Sequence, residues 1–65
     1  MPVVTIEFFP GRSEETKQVI AEQITNLMVN VAKTGSREGV YVIFRETPPN
    51  CWAIGGHLES IKSIK

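Results

Sequence analysis

Two short runs of β-branched and aromatic residues, Val3 to Phe9 and Val40 to Arg45, enclose one long stretch of helical periodicity, and that order restricts the chain to very few folds. The first run, Val-Val-Thr-Ile-Glu-Phe-Phe, favours a pleated strand, and Pro10-Gly11 ends it with a turn. Ser13 is a suitable N-cap, with Glu14 and Glu15 in a first turn where the helix dipole favours negative charge. Beyond it Ile20, Ile24, Leu27, Met28 and Val31 recur at helical spacing, while Glu15, Glu22, Gln23, Asn26, Asn30 and Lys33 lie mostly off that stripe. Gly35 supplies a stop, so the spacing predicts a helix over Ser13–Thr34. Val40 to Arg45 is the second strand, and the proline-rich segment from Glu46 to Asn50 cannot continue it as a central strand. A strand, a long helix and a strand make two parallel strands joined by a right-handed crossover, with the helix on one sheet face. Trp52-Ala-Ile and His57-Leu flank Gly55-Gly56, which predicts a short C-terminal hairpin. There is no repeat and no linker, and the reading is of a single domain over residues 1–65.

Alternation along the strands assigns Val4, Ile6 and Phe8, with Val40, Val42 and Phe44, to the face that takes the helix. The opposite face carries Val3, Thr5, Phe9, Tyr41 and Ile43, more apolar surface than a soluble monomer leaves wet. Length points the same way. A chain of 65 residues buries only about 60% of the surface that its unfolded form exposes, and needs a staple. Cys51 is the only cysteine, which rules out an internal disulfide, and His57 is the only histidine, so no Cys/His cluster can hold zinc. Oligomerisation is the remaining staple. The predicted fold class is α/β: a β-α-β unit with two parallel strands, one long helix and a short C-terminal β-hairpin, assembled as an oligomer.

Charge excludes several function classes. Seven basic residues balance seven acidic ones, and they are dispersed along the chain, which argues against a nucleic-acid partner. No apolar run approaches the roughly 20 residues that span a bilayer, and the N-terminus lacks the basic-then-apolar pattern of a secretory signal. The expectation is a cytoplasmic protein without membrane contact, and a free cysteine fits a reducing compartment.

Few residues can carry chemistry. Methionine before a small residue is normally removed, which makes Pro2 the terminus and a secondary amine. A free α-amino group titrates at about 7.7–8.0, and burial among apolar residues lowers that value by disfavouring the charged form. A neutral amine is a base. His57 is the single imidazole, Cys51 has no activating neighbour, and no Ser/His/Asp constellation can be drawn. Taken alone, however, a proline at position two is common and indicates nothing. Arg12 lies between the first strand and the helix N-terminus, where free N–H groups favour anions and its planar fork suits a carboxylate; taken alone it is a surface arginine beside a capping turn. Trp52 reads as a core residue by itself and as a pocket wall in company. His57 and Glu59 read as solvated.

Together, the start Met1-Pro2-Val-Val-Thr-Ile, the turn Gly11-Arg12-Ser13-Glu-Glu-Thr-Lys and the segment Trp52-Ala-Ile-Gly-Gly56 resemble the 4-oxalocrotonate tautomerase family over about the first 58 residues. The resemblance implies a trimer of dimers, either a homohexamer or a heterohexamer, working without cofactor or metal on a small dicarboxylate or 2-oxo acid. It implies that Pro2 is the base that moves a proton between a dienol oxygen and a carbon of the 2-oxo acid product, and that Arg12 binds the distal carboxylate. Trp52 stands where the family has an aromatic, usually phenylalanine, that walls the pocket and keeps the amine neutral, which agrees with the effect of a low-dielectric wall. One position departs. The family's second arginine falls on Tyr41, whose hydroxyl donates one hydrogen bond but carries no charge. Arg45, further along the same strand face, and Arg37, before the strand, are the candidates to supply that charge. The implied function is an isomerase of enol and keto forms such as 2-hydroxymuconate in aromatic catabolism. Two alternatives stay open. One is a hydratase or dehalogenase with protonated Pro2, opposed by the lack of a water-activating carboxylate beside the motifs. The other is a non-catalytic or partner-dependent subunit, which Tyr41 keeps open.

Overall fold

The computed structural model describes residues 2–62. Strand β1 (Val3–Phe8) leads into helix α1 (Glu14–Asn30), a 3-10 turn at Arg37–Gly39 and strand β2 (Tyr41–Glu46). A second 3-10 turn at Pro49–Cys51 precedes β3 (Ala53–Ile54), β4 (His57–Leu58) and the short helix α2 (Glu59–Lys62). β1 and β2 pair in parallel, from Val3 opposite Tyr41 to Phe8 opposite Glu46. The backbone extends this ladder at both ends: the Tyr41 N–H donates to the Pro2 carbonyl at 3.0 Å and the Thr47 N–H to the Phe8 carbonyl at 2.9 Å. β3 and β4 form a separate antiparallel hairpin, with Ile54 opposite His57. Gly55 and Gly56 turn it at φ 60° and 85°, a left-handed pair that glycine adopts without a Cβ clash.

The order strand, helix, strand and hairpin is thus as expected; the differences are the two 3-10 turns, α2 and the element ends. α1 stops at Asn30, short of the expected Thr34. The left-handed residue that follows is Lys33 at φ 57°, and the Thr34 N–H and hydroxyl both donate to the Met28 carbonyl, at 3.3 and 3.1 Å. Those bonds occupy a carbonyl that a longer helix would offer to its own next turn, so the chain leaves the helix before Gly35. The strand ends shift by one place, Phe9 falling outside β1 while β2 takes in Glu46 and leaves Val40 before it. Glu59, expected to be solvated, is half-buried, and its N–H donates to the Trp52 carbonyl at 2.8 Å.

At its start, the Ser13 hydroxyl accepts from the Thr16 N–H at 3.1 Å, satisfying one of the orphan donors of α1. Lys17 then reaches Glu46, at the end of β2, with Nζ 3.3 Å from Oε2. That pair is worth at most about 1 kcal/mol and joins the first turns of the helix to the end of the sheet.

Alternation holds on both strands. Val4, Ile6, Phe8, Val42 and Phe44 are half-buried under α1, while Val3 (54% exposed), Tyr41 (47%) and Ile43 (43%) face outward. The helical stripe divides: Ile20, Ile24 and Met28 are half-buried, whereas Leu27 and Val31, assigned to the same stripe, are exposed, Val31 at 70%. A two-stranded sheet is too narrow to cover the whole apolar arc of the helix. None of the described residues is fully buried. The radius of gyration is 15.4 Å, against about 11 Å for a compact chain of this length.

Removing the cap tests how the helix start is held. Ser13→Ala is expected to lower the unfolding free energy by about 1 kcal/mol, read as a reduced urea midpoint at unchanged m-value.

Candidate functional site

The expected site residues occupy the two ends of the parallel ladder. Pro2 is half-buried just before β1, and its carbonyl is held by the N–H of Tyr41, the first residue of β2. Tyr41 stands opposite Val3, with its side chain on the face away from α1. These two residues are therefore neighbours. Their placement follows from the ladder register and not from any contact between side chains.

At the other end, Gly11 adopts φ 128°, a conformation that strains other residues, and turns the chain from β1 into α1. Arg12 in that turn is exposed, yet two contacts hold it: Nη1 donates to the Phe9 carbonyl at 3.1 Å, and the guanidinium carbon lies 4.2 Å from the centroid of the Phe8 ring. Phe8 in turn stacks on Phe44, centroids 6.0 Å apart and planes at 29°. The Phe9 ring meets Trp52 edge to face, at 4.8 Å and 68°. Phe8 carries Arg12 and Phe9 carries Trp52, so an arginine fork and an apolar wall stand at the same end of the ladder, linked through two adjacent residues. A cation and an aromatic surface are the groups that a carboxylate on an otherwise apolar molecule needs.

Arg45 is at this same end, opposite Glu7 in the register. The Glu7 Oε2 accepts from the Thr47 hydroxyl at 2.6 Å, and Glu7, Thr47, Cys51, Trp52 and Ala53 line a shallow concavity there. Arg37 donates to the Asn26 side chain and is engaged on α1. Within one chain, then, Arg45 lies four positions along β2 from Tyr41, and Arg37, in the turn just before β2, turns its side chain to Asn26. Pro2 does not meet Arg12 and Trp52: the six residues of β1 separate them by roughly 20 Å at the rise of an extended strand. The candidate residues thus fall in two groups, Pro2 with Tyr41 at one end of the ladder, and Arg12, Trp52 and Arg45 at the other.

Sequence reasoning missed Phe8 and Phe9 as site residues and placed them on the two sheet faces. The signal was present. Two adjacent aromatics at the end of a strand point to opposite sides, so a cation in the following turn finds one ring and a hairpin folding back finds the other. Among the described residues there is no group of three metal-ligating side chains, and no helix is long and apolar enough to cross a membrane.

The chain is a small β-α-β unit with its candidate residues at the two ends of a parallel ladder and an uncovered apolar face between them. Residues 2–60 match the sequence model of the tautomerase enzyme family. A protein of Ralstonia nicotianae named as a probable tautomerase is 38% identical over 58 residues, covering 89% of this chain and 88% of that protein. A probable tautomerase of Streptococcus pyogenes is 32% identical over 59 residues, covering 91% and 95%. Among solved structures, TomN, a 4-oxalocrotonate tautomerase homologue in the tomaymycin biosynthetic pathway, superposes with a TM-score of 0.86 at 28% identity, over 98% of this chain and 97% of that one. The chain belongs to the tautomerase family. Membership supports an isomerase of the tautomerase type.

The Phe9–Trp52 contact can be weighed directly. A double-mutant cycle of Phe9→Leu and Trp52→Leu is expected to give a coupling of about 0.5–1.5 kcal/mol in urea unfolding, and Phe9→Leu alone to red-shift the emission of Trp52, the single tryptophan.

Proposed function

We propose that this chain is a cofactor-independent tautomerase subunit that moves a proton between the enol oxygen and a carbon of a 2-oxo acid such as 2-hydroxymuconate. The observation that carries the reading is the grouping, at one end of β1, of the Arg12 guanidinium held by the Phe9 carbonyl with the Phe9–Trp52 aromatic pair. Removal of Met1 exposes the Pro2 nitrogen as a secondary amine. Neutral in an apolar pocket, it takes the proton from the enol hydroxyl as the C–O bond becomes a carbonyl, and returns a proton to carbon at the far end of the unsaturated chain. Arg12 holds the distal carboxylate. Trp52 excludes water and keeps the amine uncharged. Tyr41, beside Pro2 in the register, donates a hydrogen bond to the developing carbonyl.

Because Pro2 and Arg12 lie at opposite ends of β1, the working pocket takes Pro2 from one copy and Arg12 and Trp52 from another. Two β1 strands running antiparallel would bring those ends together. Val3, Tyr41 and Ile43 on the open sheet face supply the apolar surface for further association, in line with a homohexamer. The second reading, a partner-dependent subunit of a heterohexamer, is favoured by Tyr41, which leaves the Pro2 end without the positive charge that a different chain could bring. In either form the protein is a cytoplasmic enzyme of aromatic-acid breakdown.

The primary test is the ultraviolet rate of 2-hydroxymuconate ketonisation by protein whose loss of Met1 is confirmed by intact mass. Pro2→Ala is expected to lower that rate by at least about a hundredfold; equal rates for both proteins would discard Pro2 as the base. For assembly, Ile43→Glu places a charge on the open face and is expected to dissociate the oligomer in light scattering, while an unchanged mass would show that this face is not an interface.

A further inference from the structure

We infer that Phe8 is a positioning residue for Arg12: its ring supports the guanidinium from one face and leaves the outer edge of that group open to a carboxylate. The inference rests on the reading of Arg12 as the carboxylate-binding group. An exposed arginine samples many rotamers, and ordering one on binding subtracts from affinity. Here the two contacts are complementary in direction. The ring takes a face of the planar group, with its centroid 4.2 Å from Cζ, and the Phe9 carbonyl takes a single Nη1 N–H at 3.1 Å. Neither occupies the far edge, where paired N–H donors can meet a carboxylate in fork geometry.

The platform is itself rigid. Phe8 is the last residue of β1, paired with Glu46, and its carbonyl accepts from the Thr47 N–H at 2.9 Å. Its ring is half-buried and stacked on Phe44. Phe9 cannot take this role, since its own ring is turned onto Trp52. The dipeptide therefore divides the work: Phe8 supplies the surface beneath Arg12, and Phe9 supplies the carbonyl and the link to the aromatic wall.

Phe8→Leu keeps apolar volume under the helix and removes the quadrupole. With 2-hydroxymuconate, KM is expected to rise about two- to fivefold, the factor that an exposed cation–π contact is worth, with kcat unchanged. Phe8→Tyr retains the ring and is expected to keep the original KM. In an Arg12→Ala background, Phe8→Leu is expected to add nothing, because the partner is already gone. Independently of turnover, the Arg12 Nε–H proton resonance is expected to lie upfield through the ring current and to move downfield in Phe8→Leu. Should Leu disrupt folding by circular dichroism, Phe8→Met carries the same comparison. If Arg12→Ala itself leaves KM unchanged, the assignment of Arg12 to the carboxylate falls and this inference with it. If Arg12→Ala raises KM while Phe8→Leu does not, or the effect of Phe8→Leu persists without Arg12, only the positioning role of Phe8 is overturned.

Discussion

The rest of the molecule depends on the parallel pairing of β1 with β2. Parallel neighbours cannot be joined by a tight turn, so the chain must return to the start of the sheet before β2 can form, and α1 provides that return. The helix has to begin where β1 ends, which compresses the strand terminus, the left-handed Gly11, Arg12 and the Ser13 cap into a few residues. A guanidinium is thereby set beside the last aromatic ring of the strand and the last free carbonyl before the turn. The same ladder, running from the Pro2 carbonyl to the Thr47 N–H, separates that corner from the N-terminal proline by the full length of the strand.

A two-stranded sheet has two edges and two faces, and one helix covers only one of those faces. The outward row Val3, Tyr41 and Ile43, the exposed flank of α1 at Leu27 and Val31, and the absence of any fully buried described residue are consequences of that shortage. Hydrophobic burial cannot be completed by the chain itself at this length. The uncovered apolar surface lies between the two groups of candidate residues, so the same narrow sheet sets both the incomplete burial and their separation.

Phe8 and Phe9 show how adjacent residues with opposite orientations can link elements far apart in sequence. One ring carries Arg12 and rests on Phe44; the other ties the C-terminal hairpin to the β-α-β unit through Trp52. Trp52 is held on the other side by its backbone, which accepts from the Glu59 N–H and donates to the Pro49 carbonyl.

The elements were legible because their signals are local. β-branched runs, Pro10-Gly11, the Ser13 cap, the helical spacing and Gly55-Gly56 act through neighbours in the chain, and the strand alternation correctly divided the two sheet faces. The shortage of burial was also legible, from length and from the apolar residues on both faces. Element ends were less so: the end of α1 is decided by a left-handed Lys33 and the bonds of Thr34 to Met28, which no propensity encodes. Candidate residues could be picked from the sequence by their chemistry and by resemblance, but not their grouping. Only the tertiary structure put Arg12 with Phe8, Phe9 and Trp52, set Arg45 across from Glu7 and left Pro2 with Tyr41 at the far end, because register and ring contacts arise between segments that periodicity treats one at a time.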